Sequence, residues 1–139
     1  MNAALRPVFV AIAVALPQAL LVAQARDAET IVSAYDDVVY PAMSEGNDPA
    51  SLARFDQQIR DAALTQQACA LELFQVQPDH ARVPELMRRR WTLFCTVQKS
   101  AAPVLAETAN LGPHPSADLV HAAAGARALA ASSVMRGDF

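Results

Sequence analysis

Two cysteines, three histidines and one run of arginines are the residues of this chain whose types could do chemistry. Cys69 and Cys95 are the only cysteines. A lone pair in a short exported chain reads as a structural disulfide. The alternative is a redox-active thiol pair. It calls for the Cys-x-x-Cys spacing that lowers a thiol pKa at a helix start, and that spacing is absent. A metal site draws its ligands from i, i+4 positions on one helix or from several elements at once. His114 and His121 are seven apart, His114 lies between prolines, and His80 follows Asp79 in a turn. Turn and surface histidines are the simpler reading, with His80 and His121 the residues a metal would use. His121 with Met43, Met87 or Met135 would be the set for a haem held inside a bundle. Methionine at helical spacing more commonly fills a core, so no cofactor is expected.

Arg88, Arg89 and Arg90, with Arg82, form the only basic cluster. Successive helix residues diverge by about 100°, so the three cannot make one flat patch. Glu85 lies three and four residues before Arg88 and Arg89, a spacing that predicts pairing within the helix. One reading is a solvated helix face. The other is a docking patch for an acidic partner, because arginine and the adjacent Trp91 are types enriched at interface hot spots. Asp36 and Asp37 diverge on a helix and make poor acid–base partners. There is no Gly-x-Ser-x-Gly, no phosphate-binding glycine loop and no His-Glu-x-x-His. Nothing in the chain points to an enzyme.

The elements that must position these residues follow an address. Residues 1–25 carry Arg6, an apolar run from Pro7 to Ala23 and a small-x-small site at Ala23-Gln24-Ala25. These are the three parts of a cleavable secretory signal, so the protein is expected to be exported, periplasmic or secreted. Pro17-Gln18 interrupts the run, which is short for a membrane span of about 20 apolar residues. The expected domain is then residues 26–139, with ten basic and fourteen acidic residues and a formal charge of −4. A mildly acidic chain with scattered signs argues against nucleic acid as a partner. No stable membrane insertion is expected after cleavage.

The periodicity is helical throughout, giving an all-α domain of four main helices with one break. Ala28, Ile31, Val32, Tyr35, Val38 and Val39 make one stripe of a first helix, which Pro41 ends. Asp48-Pro49 is a start signal for a second, from about Pro49 to Gln77. Its seam is Leu52, Phe55, Ile59, Ala62, Gln66, Cys69, Leu73 and Val76. A third starts near Arg82 to Pro84, carries Leu86, Met87, Trp91, Leu93, Phe94 and Val97, and is kinked or split before Pro103. Ser116 caps the last, from about Ala117 to Met135, with Gly137 as its stop. An up-down bundle and stacked helical hairpins both fit this order. Antiparallel second and third helices would bring Cys69 and Cys95 within about 4.5 Å of register, at about 1.5 Å per residue. Closing that loop would stabilise the fold by roughly 3–4 kcal/mol.

Leu71 to Phe94, with Phe-Gln-Val-Gln-Pro-Asp-His-Ala-Arg-Val-Pro-Glu-Leu-Met-Arg-Arg-Arg-Trp, resembles the inter-helix turn of tetratricopeptide-like repeats in exported bacterial proteins. There a helix ends in aromatic-x-x-x-Pro-Asp and the next begins a few residues later. No 34-residue period accompanies it. The resemblance implies a scaffold that binds other proteins. Taken together, the expectation is a small exported helical protein that binds another extracytoplasmic protein, as an accessory subunit, inhibitor, immunity factor or chaperone. A cofactor or metal carrier and a thiol–disulfide active protein are the alternatives.

Overall fold

Asp27, Asp48 and Ser116 each start a helix by offering a side-chain oxygen to backbone N–H groups that have no partner inside the helix. In the computed structural model, which describes residues 26–44 and 46–139, Asp27 accepts from Thr30 N at 2.7 Å and opens α1 (Ala28–Asp36). Asp48 accepts from Ala50 N and Ser51 N, both at 3.0 Å, and opens α2 (Pro49–Val76). Ser116 accepts from Leu119 N and opens α5 (Ala117–Arg136), which ends at Gly137 with a left-handed φ of 73°. The expected signal at residues 1–25 lies outside the described residues.

All regular structure among the described residues is helical, in five helices, not four. The break before Pro103 is complete. α3 (Val83–Thr96) stops, and α4 (Ala102–Asn110) begins with Pro103 in its first turn. Between them Lys99 takes φ 54°, the one left-handed non-glycine residue among those described. Ser100 N reaches back to Phe94 O at 2.9 Å, so the chain folds over the end of α3. α1 is also shorter than its apolar stripe, ending at Asp36 with Val38 N on Tyr35 O. Pro41 bars helical geometry at Tyr40, and the chain leaves the helix before reaching it.

α3 is the centre of the fold: α2, α4 and α5 all pack on it, and α1 packs on α2. α1 and α2 are antiparallel, with Arg26 beside Cys69 and Glu72 at one end and Tyr40 bonded to Gln66 nearer the other. The core joins Ile31 and Tyr35 of α1, Cys69, Ala70 and Leu73 of α2, Leu86, Met87 and Trp91 of α3, Val104 of α4 and Leu119 of α5. α5 contributes a buried stripe of small residues, Ala122, Ala123, Ala126, Ala130 and Ser133, while Val120, Val134 and Met135 point outward. The N-terminal half of α2 overhangs its neighbours. Leu52 is exposed, and Phe55 and Ile59 are only half-buried. No helix among the described residues is long and apolar enough to cross a membrane.

Candidate functional site

The disulfide expected between Cys69 and Cys95 is absent: both residues are buried free thiols. The reason lies in α2. Gln67 Nε2 donates to Arg90 O on α3 at 3.3 Å. Two residues on, a helix has turned by about 200°, so Cys69 looks away from α3. Arg26 Nη2 sits 3.9 Å from its sulfur, on the side from which α1 begins. A disulfide needs Cβ vectors that converge, and the Cys69 sulfur is turned toward Arg26 at the start of α1. Burial pushes the Cys95 thiol above its usual pKa, which keeps it protonated and unreactive.

Two members of the expected contact patch turn inward. Trp91 is 0% exposed, the largest fully buried side chain of the core. Arg90 is 8% exposed. Its guanidinium gives Nε to Glu107 Oε2 at 3.0 Å, Nη2 to Glu107 Oε1 at 2.5 Å and Nη1 to Gln67 O at 2.7 Å. Trp91 Nε1 donates to Glu107 Oε2 at 3.0 Å, and Arg90 lies over the Phe94 ring at 4.9 Å. Gln98 Nε2 closes the network on Gln67 Oε1. This satisfied polar cluster clamps α4 and α2 onto α3. Neither residue can meet a partner. Sequence reasoning missed Glu107, although it is the only ionisable residue of α4.

Arg88 and Arg89 stay on the surface. The expected pairing with Glu85 does not form. Arg82 takes Glu85 at 2.9 Å and Asp36 at 3.1 Å. Arg82 sits at the start of α3, where it reaches both α1 and the first turn of its own helix. Arg88 and Arg89 therefore have no ion-pair partner among the described residues. They face an open groove. One hollow of about 410 Å³ lies between Tyr35 of α1 and Glu85, Arg88, Arg89 and Thr92 of α3. A second, of about 330 Å³, lies between Ala81, Pro84, Glu85 and Arg88 and the Asp118, His121 and Ala122 edge of α5. Glu85 and Arg88 belong to both, so the two hollows meet on α3, one opening toward α1 and the other toward α5. Arg89 also lies 6.0 Å over the ring of Tyr40, whose hydroxyl donates to Gln66 Oε1 at 3.0 Å. Burial raises the pKa of both Tyr35 and Tyr40, opposed by the Arg89 charge. These phenols stay neutral near pH 7, and the Tyr40 hydroxyl serves as a hydrogen-bond donor. Another hollow, of about 640 Å³, separates the end of α1 from α2 and carries the opposite sign, with Asp37 and Asp61 in its wall.

His80 is a turn cap. Its Nδ1 accepts from Arg82 N at 3.1 Å and its Nε2 lies 3.8 Å from Glu29. His114 does the same for Ser116 N at 3.1 Å and packs beside Phe74. His121 alone lines the groove. Met87 is buried, whereas Met43 and Met135 are exposed. No three His, Cys, Asp or Glu side chains converge as a metal would need, among the described residues. Comparison with protein-family models, with curated proteins and with solved structures finds no match to this chain.

Proposed function

We propose that this is an exported, non-catalytic helical protein that binds another extracytoplasmic protein through the α3 surface that carries Arg88 and Arg89. The observation that carries this is the diversion of Glu85 to Arg82, which leaves Arg88 and Arg89 unpaired on a concave surface. Unpaired arginines beside fixed aromatic rings are the side-chain types that dominate interface energetics. The resemblance of residues 71–94 to a repeat-type helical hairpin supports a scaffold role, and the leader pattern of residues 1–25 supports export.

A photo-crosslinking residue placed at Thr92 in the host tests this reading. One discrete protein adduct from position 92, and none from Asp56 on the exposed side of α2, is expected. No adduct from position 92 would sink the binding role. N-terminal sequencing of the purified protein is expected to start at Arg26.

A further inference from the structure

We infer that the hollow between the end of α1 and α2 takes an arginine side chain of a protein partner, its stem on the apolar wall and its guanidinium on Asp37 and Asp61. This is a second contact surface, separate from the α3 surface proposed above.

The hollow exists because α1 stops early. Pro41 bars helical geometry at Tyr40, so the chain after Asp36 peels away from α2 and leaves a space of about 640 Å³. That volume falls within the roughly 300–1,000 Å³ of binding clefts.

Charge is the first support. Asp37 of α1 and Asp61 of α2 stand in the wall, which holds no lysine, arginine or histidine. Neither aspartate has an ion-pair partner among the described residues. The side-chain donors they meet are neutral, Ser33 Oγ at 3.5 Å from Asp37 and Gln57 Nε2 at 2.8 Å from Asp61. The backbone adds the same sign. Asp37 is the C-cap of α1, whose last turn carries no basic residue, and a helix C-terminus is the negative end of its dipole. A cation there relieves both. The nearby arginines lie outside the wall. Arg82 holds Asp36 and Glu85, Arg89 stands over the Tyr40 ring, and Arg60 points about 100° around α2 from Asp61.

The rest of the wall is the second support. It is mainly apolar, with Ala34, Val38, Pro41 and Ala62, and Val39 is 84% exposed at the rim. An inorganic cation would leave this surface uncovered. Arginine carries both parts, an aliphatic stem that covers apolar surface and a charged head. Its five donors in a fixed plane suit acceptors on two walls, Asp37 on one and Asp61 with Gln58 on the other, whereas lysine brings a point charge.

Titration of isotope-labelled protein with the blocked tripeptide acetyl-Leu-Arg-Leu-amide, followed by backbone amide NMR shifts, tests the inference. Saturable shifts are expected at Val38, Val39, Asp61 and Ala62. The matching citrulline peptide, which keeps the shape and loses the charge, should bind at least tenfold more weakly. The arginine peptide should weaken as much on D37N/D61N and bind D56N like the wild type, because Asp56 is an exposed acid of α2 outside the hollow. These variants alter exposed residues, and unchanged circular dichroism would verify their folds. Absence of localised shifts, equal binding of the citrulline peptide, or equal weakening by D56N overturns the inference. Self-association abolished in D37N/D61N would assign the hollow to a second copy of this chain and would also overturn it. The Thr92 crosslink reads the α3 surface, so either reading can fail while the other stands.

Discussion

Trp91 shows how a residue type can mislead about its role. Tryptophan beside arginine suggests a contact surface, yet here its ring is the centre of the core and its N–H is satisfied by Glu107. Trp91→Ala should therefore cost about 3–5 kcal/mol of stability, read as a loss of denaturant midpoint, whereas Arg88→Ala should change stability by no more than about 0.5 kcal/mol. Glu107→Ala should cost about 3 kcal/mol, because it strands a buried guanidinium and an indole N–H. Replacing both ion partners with apolar residues, R90M/E107L, should recover part of that loss. A double-mutant cycle would expose a merely additive pair, which would contradict the network. His80 belongs to the same scale. As the acceptor for Arg82 N it should be replaceable by Asn, which keeps an acceptor, while His80→Ala loses about 1 kcal/mol.

At the scale of elements, the separation of α3 from α4 has two causes: Pro103 removes a helical donor, and Lys99 adopts a left-handed turn. A side chain there pays steric strain that glycine avoids. Lys99→Gly should raise stability by about 0.5 kcal/mol, the relief exceeding the added freedom of the unfolded chain, while Lys99→Ala should be neutral. Equal melting temperatures for the two variants would argue against strain at this turn. α2 carries another element-scale lesson. Its period predicts an apolar seam along its whole length, but of its apolar residues only those from Ala62 onward are deeply packed, because α1 and α3 are too short to cover a 28-residue helix.

The whole molecule should lose stability in acid. Asp27 is held below the usual carboxylate range by the N–H of Thr30 that it caps, Asp48 by the Ser51 hydroxyl and then the Ser51 N–H, and Glu72 by the guanidinium of Arg26. A folded-state pKa below the unfolded one gives stability that is complete above the unfolded value, near 4. It is lost as pH falls through the folded value. The denaturant midpoint should therefore be flat from pH 7 to about pH 5 and drop toward pH 3. In D27N/D48N, where Asn still caps, that acid limb should be shallower. The buried thiols offer a separate global test. Native protein should react slowly with a thiol reagent, unfolded protein should react at both Cys69 and Cys95, and reduction should leave the mass unchanged. A mass that rises on reduction would show a disulfide that this packing does not predict.

Periodicity and caps determined much of the fold from the sequence alone. Asp48-Pro49, Ser116 and Gly137 act through backbone groups within a few residues of themselves, so α2 and α5 begin and end where local chemistry places them. The same locality made Pro103 legible as an interruption. Side-chain direction was not legible, because it depends on which neighbour arrives from far along the chain. Gln67 faces α3, so Cys69 faces α1. Asp36 and Glu85 both reach Arg82, so Arg88 and Arg89 are free, while Glu107 draws Arg90 and Trp91 inside. Four consecutive residues of one helix thereby split between core and groove. Only the tertiary structure decided that, since each 100° step along α3 meets a different partner: α2, α4, α5 or open water.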